Sequence, residues 1–105
     1  YWSLSAFLKN RVKSAVNFIG EFENALADVA RREAVDGIIC GHIHHAADRT
    51  IGGIHYLNCG DWVESCTAIV ETAAGDMRLI HWRDTARGRT TEPIRAAVVG
   101  ERAAA

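Results

Sequence analysis

What this sequence lacks narrows it first. Its three cysteines, Cys40, Cys59 and Cys66, form an odd set with no Cys-x-x-Cys spacing. That excludes a disulfide framework and a cysteine-built zinc site, and leaves a reducing, intracellular setting as the simpler expectation. No apolar stretch approaches the roughly 20 residues that a bilayer-spanning helix needs. The opening residues do not read as a basic, apolar, small-residue leader either, so a cytoplasmic placement is expected. Charge of neither sign prevails: 12 Lys and Arg against 13 Asp and Glu leave a net charge of −1. No basic field therefore exists to hold nucleic acid by counterion release. Internal repeats are missing, and the only proline, Pro93, lies near the C-terminus.

What is present is an ordinary folding composition, 49% hydrophobic and 24% charged over 105 residues. A chain of this size can bury one layer of helix on sheet. The pattern at Tyr1 is already amphipathic, which leads to the expectation that the segment was cut from something longer. From Leu4 to Ala34 apolar residues recur at helical spacing: Val12, Val16, Ile19, Leu26 and Val29 form one stripe, with Ala15, Phe22, Ala25 and Ala30 beside it. Gly20 lowers helix propensity by about 1 kcal/mol relative to alanine, so one helix or two joined there both fit. Gly37 is expected to close the helical region with a left-handed residue, placing its boundary near Val35.

Beyond that boundary the period changes. Gly37-Ile38-Ile39-Cys40 is a continuous small or apolar run, which predicts a short strand buried on both faces. A turn is expected from Ala47 to Gly53, then strands over "IHYLNCG", over Thr67 to Thr72 and over Met77 to Arg83, the last two joined by an "AAGD" turn. The organisation is a helical segment at 1–35, a β-rich segment at 36–83 and a flexible tail at 84–105. The fold class is α/β, N-terminal helices on a small, mostly antiparallel sheet. Such a sheet alone exposes an edge and an apolar face, so a homo-oligomer, with helix exchange as one route to it, is expected.

The chemistry concentrates in "GHIHH", residues 41–45. Along extended backbone, alternation would point His42 and His44 the same way, with Gly41 leaving room for a bound ion and His45 turned aside. Such a pair can share one metal ion or reach two, and neutral imidazole does not select among Mn, Zn, Fe, Ni and Co. The plainer alternative is a loop of solvated histidines. Asp61, Trp62 and Glu64 follow a strand end and suit a substrate-facing role, though Asp61 equally suits capping a turn and Trp62 covering a sheet edge. His55 and His81 lie inside strand patterns and read as packed or surface histidines.

Gly41-His42-Ile43-His44 resembles the terminal Gly-His-x-His motif of calcineurin-like metallophosphoesterases. "FLKNRVKSAVNFIGEFE", "DGIICGHIHHA" and "YLNCGDWVESCTAIVE" are similar to the C-terminal part of the bacterial UDP-2,3-diacylglucosamine pyrophosphohydrolase branch, over roughly Tyr1 to Arg83. The resemblance implies the second half of a metallophosphoesterase sandwich and a hydrolase of phosphate or pyrophosphate esters, with a nucleotide-lipid of lipid A biosynthesis as substrate. It further implies two divalent ions, manganese first among the candidates, with His44 on one ion and His42 on the other. A bridging hydroxide would attack phosphorus between them. His45, turned aside, reads on its own as a supporting or surface residue beside Gly41. "GDWVES" would line the mouth of the site, and the aromatic and basic "YWSLSAFLKNRVK" would meet acyl chains or the inner-membrane surface, the plainer alternative being that its apolar residues pack on the N-terminal half of the enzyme. The family also requires Asp-x-His, Gly-Asp and Gly-Asn-His motifs ahead of Gly-His-x-His, and none stands there; Gly60-Asp61 comes after it. The segment on its own is therefore expected to be inactive. A non-enzymatic module that oligomerises or binds a single metal is the alternative.

Overall fold

The computed structural model describes residues 2–86, so Tyr1 and residues 87–105 of the expected tail lie outside the described residues. Helix α1 (Trp2–Arg32) is one unbroken helix of 31 residues, about 46 Å long at 1.5 Å per residue. Gly20 does not divide it. Among the described residues its C-terminal part is what packs on the rest of the molecule, burying Glu23, Ala27 and Ala30. The expected apolar stripe is therefore split: Leu26 is half-buried, whereas Val12 and Val16 are 63% and 62% exposed.

The helix ends differently from expectation. Ala34, not Gly37, adopts the left-handed conformation (φ 54°), and the Val35 N–H donates to the Ala30 carbonyl at 3.1 Å in a Schellman closure. Gly37 is needed for another reason, since a Cβ there would sit 2.9 Å from the His55 carbonyl oxygen of the adjoining strand. Arg31 and Arg32 occupy the last turn, where cations favour the helix dipole. Arg31 also reaches the Gly52 and Ile51 carbonyls, both at 3.4 Å, and so ties the helix end to a hairpin turn.

Strands β1 (Gly37–Cys40), β2 (Ala47–Ile51) and β3 (Ile54–Asn58) form a sheet in the order β1-β3-β2. β1 runs parallel to β3, with Cys40 level with Asn58, and β2 runs antiparallel to it. β4 (Thr67–Glu71) and β5 (Met77–His81) make a separate antiparallel hairpin, followed by α2 (Trp82–Ala86). The fold is thus mixed α/β, an N-terminal helix with small sheets whose ladders are antiparallel except for β1 with β3.

Several strand expectations need correcting. β1 is not buried on both faces; it is an edge strand with Ile39 53% exposed, and the strand buried on both sides is the central β3. The segment from Ala47 to Ile51 is a strand, not a turn. Its exposed Asp48, Arg49 and Thr50 break the apolar signal, as suits an edge that must not pair further. The turn is confined to Gly52-Gly53, whose φ values of 53° and 82° give the primed turn that two-residue hairpins favour. Trp82 and Arg83, expected at the end of a strand, and Asp84 to Ala86, expected in the tail, belong to α2. The "AAGD" turn between β4 and β5 forms as expected, closed by Thr72 N–H to Asp76 O at 2.9 Å.

α1 covers one face of the three-stranded sheet through a core of Ala27, Ala30 and Ile54, with Ile38 and Ile51 packed on it. On the same face Arg49 pairs with the buried carboxylate of Glu23. Across the sheet, Asp48 accepts the Leu79 N–H at 3.3 Å and pairs with His55 Nε2 at 2.8 Å, joining the hairpin to β2 and β3. No helix among the described residues is long and apolar enough to cross a membrane.

Candidate functional site

Because β1 and β3 are parallel and in register, their carboxyl ends open onto one edge of the sheet. Two loops leave from there. Residues 41–46 carry the histidines to β2, and residues 59–66 carry Asp61, Trp62 and Glu64 to β4. The main chains stay joined just past the strands, with Cys59 N–H donating to the Cys40 carbonyl at 2.9 Å. The spacing is close, for a Cβ on Gly41 would come within 3.1 Å of Cys59 Sγ. Carboxyl ends of parallel strands are where open α/β proteins bind ligands.

The histidine loop is not the extended ribbon that alternation assumes. His42 and His44 both have left-handed backbones, φ 72° and 54°, a conformation costly for any residue with a Cβ. The Ile43 N–H donates to the Gly41 carbonyl at 2.9 Å across His42, which with that φ forms the rarer and strained γ-turn. His42 is exposed, its ring tilted 39° to Phe22 of α1 with centroids 6.3 Å apart; His44 and His45 are exposed too. Among the described residues no three His, Cys, Asp or Glu side chains stand where they could hold a metal ion. His42 and His44 can offer two imidazoles. They do not compose a metal centre on their own.

The second loop is built around Asp61. Its Oδ1 accepts the backbone N–H groups of Val63 at 2.9 Å, Glu64 at 2.6 Å and Ser65 at 3.1 Å. Those N–H groups, Glu64's foremost, hold the carboxyl below the usual carboxylate range. Asp61 thus takes the turn-capping role. Trp62, 63% exposed, and Glu64 stand on the solvent side. Gly60 is the residue this turn requires, with φ 71° and with Thr67 Oγ1 and Ala46 Cβ where a side chain would begin. Thr67 Oγ1 donates to the Cys59 carbonyl at 2.7 Å and secures the loop from below.

Under both loops lies a polar group that pattern reading does not single out. Asn58 is fully buried. Its Nδ2 donates to the Gly41 carbonyl at 3.1 Å and to Tyr56 Oη at 3.2 Å, with Cys40 Sγ at 3.5 Å. Its Oδ1 accepts the Gly60 N–H at 3.0 Å. Burial, with Cys40 adding to it, pushes the Tyr56 hydroxyl up to about 12. The available signal was an amide closing an apolar strand directly before Cys-Gly, a residue too polar to be buried without partners. Compared with known proteins, the chain matches no family model, no curated protein and no solved structure, so a functional reading stands on the residues at this edge.

Proposed function

We propose that this chain is the C-terminal part of a dinuclear-metal phosphoesterase that hydrolyses a phosphate or pyrophosphate ester, with UDP-2,3-diacylglucosamine as the substrate. His42 and His44 act as metal ligands, one on each ion, and the loop bearing Asp61, Trp62 and Glu64 faces the substrate. The observation that supports this most is the meeting of Gly41-His42-Ile43-His44 with the Gly60–Ser65 loop at the carboxyl ends of two parallel strands. Strained left-handed backbone at both histidines adds to it, because such conformations persist where a site demands them. The remaining ligands come from Asp-x-His, Gly-Asp and Gly-Asn-His motifs elsewhere in the enzyme. Bound metal would supply an activated water and charge stabilisation at phosphorus.

The test has two parts. The reading frame preceding Tyr1 is expected to encode those motifs, and the protein it yields is expected to cleave UDP-2,3-diacylglucosamine in the presence of manganese. His42→Ala and His44→Ala should each reduce the rate by about a hundredfold or more. A frame without the motifs, or full rates in both variants, sinks the proposal. The exposed apolar residues of α1 from Leu4 to Phe18 favour a second reading, an oligomerising module without catalysis. That reading predicts association and no phosphoesterase activity in the longer protein.

A further inference from the structure

We infer that Asn58 is a positioning residue, the clamp through which the histidine loop and the Gly60–Ser65 loop hold one shared geometry. A γ-turn of the strained kind at His42 persists only where its surroundings over-determine it. The Gly41 carbonyl already accepts the Ile43 N–H from within the turn at 2.9 Å, and the Asn58 amide is the side chain that binds the same oxygen from outside, at 3.1 Å. Asn58 does so from a fully buried position on the central strand, where packing sets its rotamer.

The other end of the same side chain grips the second loop. Oδ1 of Asn58 receives the Gly60 N–H at 3.0 Å, one residue before the Asp61 turn begins. A planar amide cannot shift one end without shifting the other, so displacement of Gly60 is passed to the Gly41 carbonyl and hence to His42. The clamp acts through backbone carbonyl and N–H groups, which leaves both imidazoles free of it. Its bearing on catalysis rests on the function proposed above; the clamp itself is measured without metal or substrate.

The experiment is nuclear magnetic resonance on the full chain. In the wild-type protein the Asn58 side-chain amide is expected to exchange slowly and to show a through-hydrogen-bond coupling to the Gly41 carbonyl. In Asn58→Leu, which keeps the branched shape of the side chain and removes both ends of the clamp, backbone couplings should show His42 leaving positive φ. Exchange of the Ile43 amide should accelerate by about tenfold or more, while the Cys59 and His55 amides, which report β1 on β3, stay protected. Tyr56→Phe, which leaves the Gly41 bond in place, should leave His42 unchanged. Absence of the coupling in wild type overturns the inference even if Asn58→Leu fails to fold. So does retention of positive φ at His42 in a folded Asn58→Leu, or an equal disturbance of His42 by Tyr56→Phe. An intact clamp in this chain, with no phosphoesterase activity in the longer protein, would refute the catalytic reading alone.

Discussion

Single residues outside glycine carry strain at four described positions: Ala34, His42, His44 and, at the end of the second loop, Cys66 all sit at positive φ. Only at Ala34 is the cost without a counterpart in a candidate site. A left-handed residue with a Cβ is disfavoured by roughly 1–2 kcal/mol, so Ala34→Gly is expected to stabilise the protein by about 1 kcal/mol. In a thermal melt that is a rise of about 4–8 °C for a domain of this size; an unchanged midpoint would refute the assignment of strain. Tyr56 gives a second expectation, at alkaline pH. Its hydroxyl is raised from 10.0 to about 12 in the folded protein, burial being the main cause. The neutral form is therefore favoured by folding, and this stability is complete below about pH 10 and lost as pH climbs through about 12. Denaturant titrations of Tyr56→Phe across that window should lack the part of the decline that Tyr56 causes in wild type.

Among the elements, the seating of α1 on the sheet depends on one charged pair within an apolar contact. Glu23 is 3% exposed and pairs with Arg49 of β2, while its Oε1 has no hydrogen-bond partner among the described residues. Removing the cation alone strands a buried carboxylate. Arg49→Leu is expected to cost about 3 kcal/mol, and Glu23→Leu with Arg49→Leu to recover most of it. Urea unfolding of both single variants and the double variant measures this, and additive losses would show that the pair is not coupled. The helix and the strands over "IHYLN" and "TAIVE" were readable because their apolar periods are long or dense. β2 was not, since edge strands carry polar residues that erase the period-two signal. β1 was assigned the burial that belongs to β3 because its composition is that of a central strand. Only the strand order places it at the edge.

For the molecule as a whole, the unequal covering of α1 is the dominant feature. Leu4, Phe7, Leu8, Val12, Val16 and Phe18 are each more than half exposed on a helix whose other end is packed. Isolated chains are expected to associate through this face. Light scattering should give a mass above that of the monomer, shifted toward the monomer by Val12→Lys with Val16→Lys. A wild-type monomer at every concentration would contradict the expectation. Within the phosphoesterase reading, the same face in the longer protein packs on the domain that brings the other metal ligands.

Local pattern was enough for the helix and for most strands, and it picks out the residues of the candidate site, because helical period, apolar density and the Gly-His-x-His spacing are all written within a few consecutive positions. It was not enough for their geometry. Parallel pairing of β1 with β3 brings residues 41–46 beside residues 59–66, and strand order cannot be computed from either segment separately. The left-handed turn at His42 arises from that meeting as well. An extended loop would satisfy local preference, whereas the buried Asn58 amide on the neighbouring strand holds the Gly41 carbonyl where the chain must turn. The residues of the site are local in sequence, and their arrangement belongs to contacts between segments.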